Sequence, residues 1–361
     1  MKKIICFHLL NDYSGSPKIL NLILKGLCMK GYKIDLVTSR NKGILDELNS
    51  YKHIKMYRYH YLFSNNSLFT ILRYLYVQLY TFCFSFRYIF CKDAIFYINT
   101  LLPVGPALAG RLMGKKVVYH YHENAFAKGL FYRILAFMMQ WLANDIICVS
   151  NFQRSNLRRK EHATVVPNSL SADYEERCRG CYVERDYKTV LMLSSLKLYK
   201  GILEFVQLSE RLPQYHFLLV INDVQKNIDK FCAMYNILHH ENLEIWDRQS
   251  DVFPFYERAS LVLNLTNKKK VLETFGLTVL EAMTMGLPVI VPTEGGIAEM
   301  VEDGVNGYRI DVQNLEEIEN KINKILFDRL LYQSLCENAK KKSANYSYVS
   351  MIDRIDKLLG N

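Results

Sequence analysis

The chain has 361 residues, half of them hydrophobic, with 46 Lys and Arg against 36 Asp and Glu and nine cysteines. That length holds two domains of ordinary size, and a formal net charge of +10 suits a polyanionic ligand or an anionic membrane surface. Zinc-finger spacing, an RNP motif and a basic tail are missing from the sequence, so nucleic acid is not an expected partner. The odd, scattered cysteines point to a reduced compartment rather than a disulfide framework.

Met-Lys-Lys leads into an apolar run, residues 4–10, that stops at Asn11-Asp12 with no small-residue cleavage site. It reads as a buried first strand rather than a signal peptide. The loop Asn11-Asp12-Tyr13-Ser14-Gly15-Ser16 then enters a helix predicted over residues 17–30, with Ile19, Leu22, Ile23 and Leu27 on one stripe and Pro17 at its first position. Ser14, Gly15 and Ser16 form a candidate phosphate or acceptor loop, in which Gly15 permits close backbone approach; a plain strand–helix turn reads the same way. Residues 32–38, 94–98, 116–121 and 145–150 are further short apolar strands. His120 and His122 alternate about Tyr121 and share a face. His122, with Glu123 beside it, stands at a strand end, suited to a sugar hydroxyl or a phosphate.

Residues 57–96 are unusually aromatic, with Tyr74, Tyr76, Tyr80, Phe82, Phe84 and Phe86 among them. Residues 68–90 have the length of a membrane span, but Arg73, Gln78 and Arg87 interrupt it. Arginine among aromatics at helical spacing suits an interfacial helix, and residues 128–142 suit a second. Both stretches also fit buried helices of the first domain.

The second half repeats the alternation. Strands are predicted at residues 189–193, 216–221, 243–245, 261–265 and 289–291, and helices at 201–212, 228–235, 277–285, 315–327 and 346–359. The fold class is therefore α/β, with two Rossmann-like, doubly wound halves meeting near the polar stretch 168–188. Cys178-Arg-Gly-Cys181 has no second pair of matching spacing, so no metal site is expected.

Three motifs carry the chemistry. Ser194-Ser195-Leu196-Lys197-Leu198-Tyr199-Lys200-Gly201 follows the first strand of the second half. Glu273-Thr-Phe275-Gly276-Leu277-Thr-Val-Leu-Glu281 places two carboxylates across a strand-to-helix junction, with Leu277, Leu280, Met283 and Met285 on the apolar side of the helix. The helix start offers N–H groups to phosphate, and a carboxylate such as Glu281 suits the vicinal hydroxyls of a ribose. Gly286-Leu-Pro-Val-Ile and Gly295-Gly296-Ile-Ala-Glu299 follow.

This set resembles the Glu-x7-Glu motif and the Gly-Arg-Leu-x-x-x-Lys-Gly signature of retaining glycosyltransferases of family 4, group 1. Here Ser194 and Ser195 replace the usual Gly and Arg, and Lys197 is at hand to restore the charge. Val165-Val-Pro-Asn168 is similar to the family's domain-junction segment. The resemblance implies the GT-B architecture: an acceptor-binding domain over residues 1–170, a nucleotide-sugar domain over 171–345, a cleft between them, and a final helix, 346–361, crossing back to the first. It implies a UDP- or GDP-linked sugar donor, bound by Ser195, Lys197, Lys200, Phe275, Gly276, Leu277 and Glu281. Lys200 would stabilise the leaving diphosphate, Glu273 would orient the sugar, His122 would contact it, and Glu299 would brace the glycine loop. No cofactor or metal is implied. The acceptor implied is a glycan or a polyprenyl-diphosphate-linked saccharide at the inner face of the plasma membrane, in lipopolysaccharide, capsule or other cell-surface polysaccharide biosynthesis. Asn267-Lys268-Lys269-Lys270 is a candidate attractor for an anionic acceptor, or a solvated loop. A nucleotide-sugar 2-epimerase and a catalytically inactive partner subunit share the fold and stay as alternatives.

Overall fold

Apolar runs with little polar alternation make strands that need cover on both faces, and parallel sheets flanked by helices supply it. The computed structural model of the chain describes residues 2–61, 67–127, 129–180, 186–237 and 241–360. Its contacts separate two units: Met1–Asn168 with Val349–Asn361, and Ser169–Tyr348.

In the first unit, β1 (Lys3–Phe7), β2 (Lys33–Ser39), β3 (Ile54–Tyr59), β4 (Ala94–Asn99), β5 (Lys116–Tyr121), β6 (Asp145–Cys148) and β7 (Ala163–Val165) form one parallel sheet. Their order is β3-β2-β1-β4-β5-β6-β7. Winding reverses between β1 and β4, and their register pairs Phe7 with Ile98. All six residues of β4 are buried, and Phe96 stacks on Phe7 with ring centroids 5.6 Å apart. The final helix, Tyr348–Gly360, buries Met351, Ile352, Ile355 and Leu359. Tyr32 donates to Asp356 at 2.7 Å, Lys30 pairs with Asp353 at 2.7 Å, and Lys116 donates to the carbonyl of Leu358 at 2.7 Å. The last contact satisfies a carbonyl that a helix end leaves without an internal donor.

The second unit has its own parallel sheet of β8 (Thr189–Ser194), β9 (His216–Ile221), β10 (Leu243–Trp246), β11 (Leu261–Leu263), β12 (Val289–Val291) and β13 (Gly307–Arg309). The order is β10-β9-β8-β11-β12-β13, so winding reverses between β8 and β11. Its core gathers Phe205, Phe217, Leu219, Ile290, Ile322 and Leu335, all fully buried.

Some elements differ from the sequence reading. The first helix runs Gly15–Met29 with Ser14 at its N-cap, so Pro17 is the third helical residue rather than the first. It still lies in the turn whose N–H groups lack internal acceptors. The strand β3 was not anticipated because an edge strand carries polar residues, here Lys55 and Arg58. Within the polar junction, Ala172–Gly180 is a helix whose one buried residue is Cys178, so it shows no apolar stripe. The helix Val104–Leu112 is masked in sequence by Gly105, Pro106 and Gly110. In the helix Leu277–Thr284, Val279, Leu280, Ala282 and Met283 make the buried face; Leu277 is half-buried.

Ile355→Ala should cost about 3 kcal/mol of stability, as expected for a large-to-small change at a fully buried aliphatic site. Denaturant unfolding checks this, and a loss below about 1 kcal/mol would contradict the docking of the last helix.

Candidate functional site

Ligands of open parallel sheets bind beyond the C-terminal strand ends where winding reverses. In the second unit that edge lies between β8 and β11. The loop after β8 carries Lys200, and the loop after β11 carries Thr266 and Glu273. The two loops are tied together: Asn267 N–H donates to the carbonyl of Tyr199 at 2.7 Å. Gly201 makes this possible. It has φ +79°, and a Cβ there would stand 2.3 Å from the carbonyl oxygen of Leu265. The Lys200 ammonium pairs with Glu273 Oε1, their side chains 22% and 19% exposed. The same oxygen accepts from the Thr266 hydroxyl at 2.9 Å. From the loop after β12, Gly296 N–H donates to the Glu273 carbonyl at 2.7 Å. Glu273 is thus held through backbone and side chain, outside any helix.

Buried Phe275 and Gly276 turn the chain into the helix Leu277–Thr284. Gly276 has φ +120° and packs so closely that a Cβ would meet Ile297 at 2.7 Å. The first N–H groups of this helix lack internal acceptors and carry the positive end of its dipole. One turn on, Glu281 Oε2 accepts from the hydroxyl of Tyr256 at 2.6 Å. Tyr256 is fully buried, and burial together with the Glu281 charge holds its pKa well above the usual phenol value. Its hydroxyl is therefore a permanent donor that fixes the Glu281 carboxylate. The Tyr174 hydroxyl lies 3.5 Å from the Glu281 carbonyl.

In the first unit, three adjacent strands end in His8 (after β1), Asn99 (end of β4) and His122 (after β5). Asn99 lies between the two histidines: its Nδ2 is 3.0 Å from His8 Nδ1 and its Oδ1 3.0 Å from His122 Nε2. The Asn99 amide offers a donor to one ring and an acceptor to the other, so it links the two imidazoles. The rings of His120 and His122 lie 4.1 Å apart, as their alternation predicts, and Tyr97 Oη is 2.8 Å from His120 Nδ1. Burial lowers the pKa of His8 to about 4 and that of His120 to about 3. Burial, with His120 and His8 as like-charge neighbours, puts His122 well below the usual imidazole value. The array is neutral at pH 7. Glu123 turns toward the loop after β4, where Leu101 N–H donates to Oε1 at 3.3 Å and to Oε2 at 3.2 Å.

Other predicted residues are placed differently. Ser14 gives both its N–H, at 2.8 Å, and its hydroxyl, at 2.6 Å, to Asp12 Oδ1, so these donors of the Ser14-Gly15-Ser16 loop already serve a carboxylate. Ser195 carbonyl accepts the Lys197 N–H at 2.7 Å in a tight turn, and the Lys197 side chain is exposed. Lys268 pairs with Glu294 at 2.8 Å, while Lys269 and Lys270 are exposed. Glu299 is also exposed. Cys178 is buried, its Sγ 3.2 Å from Met285 Sδ, and Cys181, like Lys128 of the second aromatic stretch, lies outside the described residues. The sequence reading missed Tyr256, Thr266, His8 and Asn99. The last two had a signal, since polar residues closing apolar strands belong to the ligand edge.

Two family models match the chain: Glycosyltransferase Family 4 over residues 13–174, and Glycosyl transferases group 1 over residues 182–342. The chain belongs to the family 4 glycosyltransferases. Both units are Rossmann-like parallel sheets of the GT-B kind. Among solved structures of this fold, HepE of Anabaena in complex with UDP and glucose is similar with a TM-score of 0.78 and 19% identity, each chain covered in full. An uncharacterized glycosyltransferase of Methanocaldococcus jannaschii is 26% identical over 60% of this chain and 59% of its own length. The N-acetyl-alpha-D-glucosaminyl L-malate synthase of Bacillus anthracis is 26% identical over 44% of this chain and 41% of its own. The matches thus span about half the length of these two relatives.

The neutral histidine array sets a pH dependence. Its folded pKa values are depressed below the unfolded value of about 6.5. The unfolded chain therefore takes up protons that the folded rings refuse, and stability falls as pH drops below about 6.5. Each ring contributes up to about 1.4 kcal/mol per pH unit in that window. The thermal midpoint should be lower at pH 5 than at pH 7, and His120→Gln should flatten the slope. A midpoint unchanged between these pH values would contradict the burial of uncharged histidines.

Proposed function

We propose that this chain transfers a sugar from a nucleoside-diphosphate donor to a glycan or lipid-linked saccharide, with retention of anomeric configuration. The observation that carries the reading is the Lys200–Glu273 pair at the β8/β11 edge, beside the helix that presents Glu281. In the free protein Glu273 neutralises Lys200. A donor diphosphate offers the ammonium a second anionic partner, while the N-terminal N–H groups of the helix Leu277–Thr284 take further phosphate charge. Glu281, held by Tyr256, accepts from the ribose hydroxyls. Glu273 orients the sugar, and His122, hydrogen-bonded to Asn99, meets a sugar hydroxyl.

In the reaction the bond from the anomeric carbon to the diphosphate oxygen breaks, and its electron pair leaves with the nucleoside diphosphate. An acceptor hydroxyl oxygen bonds that carbon on the same face, and its proton passes to the departing phosphate. Stabilisation of the leaving charge is the main catalytic demand. The Anabaena neighbour was solved with UDP, which favours uridine over guanosine as the base. Assembly of a cell-surface polysaccharide on a polyprenyl-diphosphate carrier, at an anionic membrane face, is the setting we assign. The basic balance of the chain, +10, supports it.

Calorimetric titration with UDP and with GDP tests this reading. One nucleotide should bind at about micromolar Kd, as is common for substrates. Glu281→Ala should weaken it at least tenfold, and Tyr256→Phe by about fivefold, the worth of one hydrogen bond. Binding of neither nucleotide, or binding unchanged in Glu281→Ala, would overturn the donor site and favour an inactive partner subunit.

A further inference from the structure

A helix packed on a parallel sheet normally turns a polar face outward. Two helices of the first unit do not. In Ser67–Ser85 the inward side is set by Val77, Thr81 and Ser85, all buried, yet Leu68, Leu72, Leu75 and Leu79 are exposed, Leu79 by 64%. Their spacing of four, three and four residues draws one outward stripe. In Leu130–Leu142 the inward side is set by Leu135, Ala136 and Met139. Leu130, Ile134, Phe137 and Trp141 repeat the same spacing outward, Trp141 being 63% exposed. The two helices meet where Tyr74 and Phe131 pack edge to face at 5.7 Å. The helix Val104–Leu112 lies against the first, Gly105 N–H donating to Gln78 Oε1 at 2.9 Å, and adds exposed Leu108 and Leu112. Beyond the first helix, Phe90 is 92% exposed. An apolar face of this extent marks an interaction surface.

Its charge selects the occupant. The three helices and the segment up to Phe90 contain Arg73, Arg87, Arg111 and Arg133 and no acidic residue, and all four arginines are exposed. A twofold dimer through this face would bring arginines of both copies together with no carboxylate to meet them. A lipid surface gives apolar side chains the acyl boundary and arginines the phosphate headgroups. No helix among the described residues is long and apolar enough to cross a membrane, so the helices would lie in the interface.

We propose that the outward faces of Ser67–Ser85 and Leu130–Leu142 form a docking surface for an anionic lipid bilayer, with Leu75, Leu79, Phe137 and Trp141 inserted and Arg73 and Arg133 at the headgroups. This deepens the membrane part of the function proposed above and rests on that part alone. Vesicle binding needs no nucleotide, so it can fail while nucleotide binding stands, and the reverse.

The test is flotation of the full chain with vesicles of phosphatidylcholine alone and with about one-third phosphatidylglycerol, at low and high salt. The chain should float with the anionic vesicles, and at least tenfold less with the neutral ones or at high salt. Leu75→Ser with Phe137→Ser should abolish flotation while the circular dichroism spectrum is kept. Arg73→Gln with Arg133→Gln, which leaves the apolar face intact, should lose most of the preference for anionic lipid. Equal flotation of the Leu75 and Phe137 double variant, or no flotation with anionic vesicles, would overturn the proposal. So would a stable dimer in solution that this double variant converts to monomer, since the face would then be covered by a second copy.

Discussion

A parallel sheet that reverses its winding sends the chain in opposite directions from two adjacent strands. This leaves an open edge where the two loops part. Both units have such an edge, between β1 and β4 and between β8 and β11, and the charged or polar groups that matter gather at these points. At the second edge Lys200 and Glu273 sit on the parting loops, Thr266 and Gly296 hold Glu273, and the following helix carries Glu281. At the first, His8, Asn99 and His122 close three neighbouring strands. The rest of each unit, the apolar strands and covering helices, keeps these strand ends in register.

The two edges differ in electrostatic character. The second is built from full charges, the Lys200 ammonium and the Glu273 carboxylate, that neutralise one another. The first is built from neutral imidazoles whose burial forbids protonation, linked by one amide. A partly solvated ammonium beside helix N–H groups suits phosphate, and a neutral hydrogen-bonding array suits hydroxyl groups. Tyr256 is as buried as any core residue: a fixed carboxylate needs a donor that cannot itself ionise.

The architecture was largely legible in the sequence because parallel strands are buried on both faces and stand out as short apolar runs. Alternation of these runs with helical stripes gave two Rossmann-like halves. The Glu273–Glu281 and Lys200-Gly201 motifs pointed to a family 4 glycosyltransferase through their resemblance to that family's signatures, and each follows a strand of the second unit. What escaped the sequence was polar or interrupted: β3 with its lysine and arginine, the charged helix Ala172–Gly180, and the glycine-broken helix Val104–Leu112. At the site, partners distant in sequence were unreadable. Tyr256 lies 25 residues before Glu281 in a short aromatic helix that reads as core, and Thr266 looks like any strand-end threonine. The serine loop reads as a phosphate or acceptor loop or as a plain strand–helix turn, and its contact between Ser14 and Asp12 leaves no mark in the apolar pattern. The aromatic stretches read both as buried and as interfacial helices, and in the structure each helix has one buried side and one exposed apolar side.

In the proposed donor site, Lys200 exchanges Glu273 for a donor diphosphate at the β8/β11 edge. A crystal structure of the chain with its nucleoside diphosphate tests it most directly. The account predicts the Lys200 ammonium within about 3 Å of a phosphate oxygen, a normal charge-assisted hydrogen bond, with Glu281 on the ribose. A nucleotide bound elsewhere, with the Lys200–Glu273 pair intact, would contradict it.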